Sequence, residues 1–100
     1  MDIIEVNKVL SNETRLNILE WLKDPKSHFP AHKELGHFRD GVCVQYIGEK
    51  AGLSQSTISH YLSIMQKAGL LIPTRHGKWT YYKRDEKQIK QYLIFLKKSL

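Results

Sequence analysis

The sequence predicts a small, mainly α-helical domain with one short β-hairpin in its C-terminal half. Apolar residues recur at spacings of three and four in five separate segments, which is the period of amphipathic helices. Ahead of the last helix the period changes, and residues 70–75 and 78–83 are predicted to be two strands joined through His76-Gly77. With 100 residues, 41% of them hydrophobic, the chain has room for one domain, residues 1–100, and a modest core.

The N-terminal part of the chain is predicted to form two helices and a long loop. The helices cover residues 2–10 and 13–23, and Pro25 ends the second because the residue before a proline avoids helical backbone. Residues 25–41 contain two prolines, two glycines and three histidines, which is the composition of a loop. At about 17 residues it is long for a compact domain, and such loops are usually functional or mobile. The apolar face of the second helix is predicted to consist of Leu16, Leu19, Trp21 and Leu22.

Two further helices, over residues 44–51 and 55–68, are predicted to form a helix-turn-helix motif. The tight turn between them begins with a glycine that suits a left-handed C-terminal cap, and it ends with a serine that suits an N-cap. A last helix is predicted over residues 86–98, where the apolar residues form a wide stripe.

The helix over residues 55–68 separates its side chains into a packing face and a polar face. Ile58, Leu62 and Met65 share one side, whereas the other carries short polar side chains that allow the helix to enter a DNA major groove, about 12 Å wide. An ordinary surface helix would instead carry Glu and Lys, which have a higher helix propensity. Residues of the first turn normally contact base edges in such motifs. The DNA-contacting residues predicted here are Ser54, Gln55, Ser56, Thr57, Ser59, His60, Ser63 and Lys67.

The tip of the predicted hairpin is basic and directly follows this helix. It carries Arg75, His76 and Lys78, which suit contact with phosphates or insertion into a minor groove. Pro73 limits the first strand to the edge of a sheet, because proline has no N–H to donate. A structural hairpin with a solvated tip is the alternative, but its position after the helix-turn-helix favours a DNA-binding wing.

Charge and composition limit the classes of function. Residues 1–41 carry six Lys/Arg and seven Asp/Glu, whereas residues 42–100 carry ten against three, which favours a polyanionic partner over a merely soluble basic surface. No apolar run approaches the ~20 residues of a membrane span, no signal pattern begins the chain, and the single cysteine cannot form an intrachain disulfide. We therefore expect a cytoplasmic protein without a membrane partner. No Gly-rich phosphate loop, G-x-S-x-G or complete metal motif occurs, so no enzyme, cofactor or metal site is predicted.

The chain resembles the ArsR/SmtB family of bacterial winged-helix repressors in four segments. These are residues 12–19 (NETRLNIL), 52–59 (GLSQSTIS), 67–71 (KAGLL) and 77–82 (GKWTYY). The resemblance implies a winged helix-turn-helix homodimer that represses transcription from a near-palindromic DNA site, with half-sites roughly 34–36 Å apart, until an inducer releases it. A winged-helix module that binds protein rather than DNA is the alternative. The resemblance also implies dimerisation through the first and last helices, with interface residues Ile3, Val6, Leu10, Ile89, Tyr92, Leu93 and Leu96.

Three departures from the family pattern affect how DNA bases are expected to be contacted and which inducer is expected to release the repressor. The family commonly has histidine where this chain has Tyr61, and here the histidine is His60. Metal-sensing members carry paired cysteines at the start of the third helix, where this chain has only Cys43, and others carry histidines on the last helix, which has none here. Neither familiar metal site is therefore complete, and the inducer is not identified.

Two candidate sensors are left open by the sequence. Cys43 is either a small buried hydrophobic residue or a redox or electrophile sensor, which would require a low thiol pKa. His28, His32 and His37 of the loop could contribute to a zinc site, but no nearby carboxylates or second cysteine complete it. A solvated loop, or one that packs Phe29 and Phe38 against the core, is the favoured interpretation.

Overall fold

A computed structural model of the protein describes all residues, 1–100. It confirms the predicted class, since the protein consists of five α-helices and one small sheet. The predicted helix boundaries are correct to within one residue. In chain order, the elements are α1 (Ile3–Leu10), α2 (Glu13–Lys23), a short 3-10 helix (Pro25–Ser27), β1 (Val42–Cys43), α3 (Val44–Ala51), α4 (Gln55–Lys67), β2 (Leu71–His76), β3 (Trp79–Arg84) and α5 (Glu86–Ser99).

Local side chains determine where most of the helices begin. A carboxylate, amide or hydroxyl oxygen accepts a hydrogen bond from the free backbone N–H three residues later, which replaces a bond that the first turn cannot make within the helix. Each such cap contributes about 1 kcal/mol to helix stability. Gly52 ends α3 in the left-handed region, at φ 69°. The N-caps of α1, α2, α4 and α5 are Asp2, Asn12, Ser54 and Asp85.

The sheet is antiparallel with β3 at its centre, in the order β1-β3-β2. His76 pairs with Trp79, so the two-residue turn is Gly77-Lys78 and not the predicted His76-Gly77. Both strands consequently begin and end one residue later than predicted. Gly77, at φ 58°, takes the first central position, where turns of the type II′ class need a positive φ. As predicted, Pro73 lies on an edge strand.

A third strand precedes the helix-turn-helix and was not predicted. Val42 pairs with Tyr82, and Cys43 pairs with Tyr81. Two residues are too few to show the alternation by which strands are recognised in a sequence. Because α3 begins at the residue after β1, the sheet and the helix-turn-helix are joined without a linker.

The core lies where α2, α3 and α4 meet under the sheet. Ile18, Ile47 and Ile58 are completely buried there. The predicted inward position of Leu16 is wrong, because its side chain is 52% exposed and Ile18 takes the buried place on α2. No helix is long and apolar enough to cross a lipid bilayer.

The loop over residues 25–41 packs against the domain, in agreement with one of the two forms expected for it. Phe29 is buried and Phe38 is partly buried against the core. The loop ends at Gly41, which has φ 91°, and a Cβ atom there would lie 1.9 Å from the Tyr82 carbonyl oxygen. Only glycine therefore allows the chain to pass this close to β3.

Candidate nucleic-acid interface

The first turn of α4 presents an exposed row of hydrogen-bonding side chains. Ser54 Oγ lies 3.0 Å from Thr57 Oγ1, and Gln55 Nε2 donates to Ser59 Oγ at 3.1 Å. These bonds hold short side chains in defined positions without removing them from solvent. The opposite face is anchored by Ile58, Leu62 and Met65, which are completely buried. The separation of faces predicted for this helix is thus present in the structure.

A cleft of about 390 Å³ lies between α4, the start of α3 and the β2–β3 hairpin, which we call the wing. The helix contributes Gln55 and Ser59 to its walls, and the wing contributes Arg75 and Lys78. Residues that are about 20 positions apart in the chain therefore face one concave surface. The cleft combines amide and hydroxyl groups, which can bond base edges, with cations that can bond phosphates.

The cleft also contains residues that the sequence analysis did not single out. Gln45 lies exposed in the first turn of α3, where its amide donates to Glu49 at 3.1 Å, and Thr80 and Tyr82 come from β3. The exposed polar residue at a helix start was a usable signal for Gln45. Its proximity to the wing was not predictable, because it depends on the pairing of β1 with β3. The remaining lining residues are Val44 and Trp79.

Other predicted contact residues lie outside the cleft. Lys67 ends α4, about 18 Å along the helix axis from Gln55, and lines a separate hollow that also includes Asp2 and Glu5. His60 is exposed, whereas Ser63 is partly buried. Tyr61, at the family's usual histidine position, is also partly buried, and the Arg15 guanidinium lies 5.0 Å from its ring centre.

The three basic residues of the wing tip have different surroundings. Arg75 Nε donates to the Gly77 carbonyl at 2.9 Å, and Lys78 Nζ lies 5.3 Å from the Trp79 ring centre. Both side chains are exposed, and neither is paired with a carboxylate. His76 is instead engaged by the loop, since its Nε2 lies 2.7 Å from Asp40 Oδ2. This hydrogen bond, opposed by partial desolvation, holds the pKa of the Asp40 carboxyl below its usual value. Arg75 and Lys78 are therefore the free cations of the wing.

Cys43 is buried on β1, and burial raises the pKa of its thiol. A thiol that is both inaccessible and protonated is a poor nucleophile. These observations favour the core role over the sensor role that the sequence left open. No three side chains of the His, Cys, Asp and Glu types come together in an arrangement that could hold a metal ion.

The predicted dimer residues divide between the core and the surface. Val6 is completely buried within the protomer, and Ile89 and Tyr92 are buried against the same core, so Val6 has no surface to offer a partner. Helical geometry is the reason, because these residues lie on the sides of α1 and α5 that face the domain. The exposed apolar side chains near them are Ile4, Leu16, Leu93, Ile94 and Phe95, with Ile3, Leu10 and Leu96 partly exposed.

Some of these residues line an apolar groove between α2 and α5. The groove has a volume of about 330 Å³, and Leu10, Leu16 and Leu93 form part of its walls. Seven of its ten lining residues are hydrophobic. We call this surface the α2–α5 groove.

The helix-turn-helix, the wing and the cleft between them define a winged helix-turn-helix protein. A family model described as bacterial regulatory protein, arsR family, matches residues 42–72, from β1 into β2. The chain is 50% identical, over the whole length of both proteins, to the uncharacterised HTH-type transcriptional regulator YbzH of Bacillus subtilis. It is also 32% identical to the arsenical resistance operon repressor of Escherichia coli, over 80% of this chain and 56% of that one. The chain belongs to the ArsR family of bacterial transcriptional regulators.

Solved structures agree on the fold. A homodimeric winged helix-turn-helix DNA-binding domain from Mycobacterium bovis superimposes with a TM-score of 0.66, at 22% identity, over 97% of this chain and 77% of that one. A protein from M. tuberculosis superimposes with a TM-score of 0.65, at 25% identity, over 96% of this chain and 82% of that one.

Proposed function

We propose that the chain acts as a homodimeric repressor that binds a specific DNA site through α4 and the wing. The observation that carries this proposal is the cleft in which Gln55 and Ser59 face Arg75 and Lys78. An interaction module for protein partners would have no need to place base-bonding and phosphate-bonding groups on one surface. The name of the E. coli relative, a repressor, supports the direction of regulation.

Within this proposal the two parts of the cleft have different roles. The first turn of α4 enters the major groove, where the Gln55 amide can make two bonds to an adenine and the hydroxyls of Ser56 and Thr57 can bond bases or phosphates. Arg75 and Lys78 neutralise backbone phosphates and contribute to affinity for any sequence. Ser54, Ser59, His60, Ser63 and Lys67 extend the contact along the helix, with Lys67 at its far end.

The α2–α5 groove and the exposed residues of α1 and α5 are the proposed dimer contact. A protein of this size rarely exposes so many large apolar side chains without a partner to cover them. The M. bovis domain of the same fold is homodimeric, which supports a homodimer here. We assign Ile3, Leu10, Leu93 and Leu96 to the interface, together with Leu16.

We propose no enzymatic activity, resident cofactor or metal for this chain, and a cytoplasmic site of action, where bacterial DNA lies. The signal that releases the repressor from DNA acts on a group other than the buried Cys43 thiol.

The test is fluorescence anisotropy against DNA from directly upstream of the protein's own gene, with a scrambled duplex of equal length as control. We expect at least roughly 10³-fold tighter binding to the upstream duplex at physiological salt. The Arg75→Ala/Lys78→Ala double variant is the matched protein control. Equal and weak binding of both duplexes would contradict operator recognition at this site. Absence of binding even at low salt would instead favour a protein-binding module.

A further inference from the structure

The long loop, residues 25–41, is attached to the tip of the wing. Asp40, the second-last residue of the loop, reaches His76 Nε2 across 36 positions of sequence, at 2.7 Å. Next to it, Lys83 Nζ of β3 donates to the Arg39 carbonyl oxygen at 3.5 Å. The loop thus holds both strands of the wing, one near the turn and one near the base.

His32 provides a second attachment. Its side chain is only 4% exposed, and its ring centre lies 4.7 Å from that of Trp79, 5.6 Å from that of Tyr81 and 5.4 Å from that of Tyr46. His32 therefore joins the wing to α3. Neither Trp79 Nε1 nor the Tyr81 hydroxyl has a hydrogen-bond partner, so packing of the rings is what holds this cluster together.

The two faces of β3 consequently have different neighbours. Successive side chains of a strand point to opposite faces, and Tyr81 faces the loop while Thr80 and Tyr82 line the DNA cleft. Trp79 belongs to both sets, because it contacts His32 of the loop and also lines the cleft. The loop can therefore influence DNA binding through this ring, although none of its own residues lines the cleft.

The tip of the wing depends on this support. β1 pairs only with Tyr81 and Tyr82, so the part of the hairpin beyond them is paired only with itself. A two-stranded hairpin is marginally stable in water on its own. The cations Arg75 and Lys78 are in this part, and their position relative to α4 is determined by what holds the tip.

We infer that His32 and Asp40 are positioning residues, which hold the wing so that Arg75 and Lys78 face the same DNA as α4. This inference rests on the proposed DNA-binding function. The loop then contributes to DNA binding although it is not part of the helix-turn-helix. Its contacts with the wing influence how tightly Arg75 and Lys78 bind phosphates.

Two substitutions of Asp40 separate positioning from simple electrostatics. If its negative charge only repels DNA, both Asp40→Ala and Asp40→Asn will bind DNA more tightly than the wild type. Positioning predicts opposite results, because Asn keeps an oxygen that accepts from His76 whereas Ala does not. We expect Asp40→Ala to weaken operator binding about 10-fold to 100-fold and Asp40→Asn to bind at least as tightly as the wild type. Glu34→Ala, which removes an exposed charge from the same loop, is the matched control and should change affinity less than about twofold.

The salt dependence identifies the lost contacts. The slope of log K against log salt should become shallower by about 0.9 for each phosphate contact that is lost. Asp40→Ala should reduce it by about 1 to 2, and should have no further effect in the Arg75→Ala/Lys78→Ala background. A general loss of folded protein would lower the active fraction and leave the slope unchanged. Wild-type affinity and slope in Asp40→Ala would overturn the inference and leave the proposed function intact, whereas no DNA binding by the wild type would overturn both.

A measurement without DNA tests the His32 contact directly. Trp21→Phe leaves Trp79 as the single tryptophan. In that background His32→Ala should expose Trp79 to acrylamide quenching, while His32→Phe, which keeps an aromatic ring, should protect it. Circular dichroism establishes that each variant is folded. Equal quenching of Trp79 in a folded His32→Ala variant and in its parent would overturn the role of His32.

Discussion

The cleft between α4 and the wing and the α2–α5 groove are similar in size and opposite in chemistry. Their volumes are about 390 Å³ and 330 Å³, but three of nine lining residues are hydrophobic in the first and seven of ten in the second. The cleft offers amides, hydroxyls and two free cations, which remain hydrated until a polyanion replaces the water. The groove offers leucines, which gain from being covered by another apolar surface. Shape alone would not distinguish the two partners, whereas side-chain chemistry does.

The largest effect should come from placing a charge in the groove. Leu93→Glu introduces a carboxylate where the proposed dimer buries apolar surface, so the protein should become monomeric. DNA affinity should fall about 100-fold or more, because two linked half-site contacts are reduced to one. Sedimentation velocity and anisotropy measure the two consequences. Gln91→Glu adds the same charge two positions earlier on α5, at another exposed site, and should leave both unchanged. A dimeric Leu93→Glu variant would show that the groove is not the interface.

Removal of the free cations from the cleft should have the next largest effect. Arg75→Ala/Lys78→Ala should weaken binding to specific and scrambled duplexes alike, by about 10-fold to 100-fold. The salt slope should be reduced by about 0.9 for each cation. Lys97→Ala/Lys98→Ala, which removes the same two charges at exposed sites on α5, is the control for net charge and should preserve the slope. A loss confined to the specific duplex would show that the wing reads sequence and is not limited to phosphate contact.

A substitution in the first turn of α4 should have a smaller and more selective effect. Gln55→Ala should weaken binding to the operator by about 1–3 kcal/mol, the value of one good base contact, and leave the scrambled duplex unaffected. Gln45→Ala, on the α3 side of the same cleft, tests whether every amide there reads a base. If Gln55→Ala reduced binding to both duplexes equally, the division of roles between α4 and the wing would be incorrect.

The smallest effect on DNA binding is expected at Cys43. Because burial raises the pKa of this thiol, the native protein should react with a disulfide reagent far more slowly than the protein unfolded in guanidinium. The folded state keeps the thiol proton to higher pH than the unfolded state does, so stability should fall as pH rises past the ordinary thiol pKa, about 8.5. Cys43→Ala should bind the operator within about twofold of the wild type. Rapid labelling accompanied by release of DNA would restore the sensor hypothesis.

The parts of the fold that were predictable from sequence depend on local signals. The start of α4 was located through its N-cap Ser54, and the end of α3 through Gly52, because these residues act within three or four positions. The polar first turn of α4 was identifiable for the same reason. The part of the cleft that the wing contributes was predicted from the basic residues of the hairpin tip, which follows α4 in the sequence.

The parts that were missed depend on contacts between distant segments. The pairing of β1 with β3 and the packing of His32 on Trp79 and Tyr81 involve residues about 40 or more positions apart. Val6 was assigned to the dimer for a related reason, because an apolar stripe does not indicate whether it faces its own domain or a partner. The structure distinguishes the two possibilities for Val6, because its side chain is buried by other residues of its own domain.

Gly41 has a consequence for how the loop can diverge among relatives. Substitution by any other residue would place a Cβ atom on the Tyr82 carbonyl, whereas a Cβ atom at Gly36, in the middle of the loop, would meet no atom within 4 Å and only its φ of 68° favours glycine. Insertions and deletions between His32 and Asp40 should therefore be accepted during evolution, while glycine should persist directly ahead of β1. The loop can vary in length and still deliver its final acidic residue to the same place on the wing.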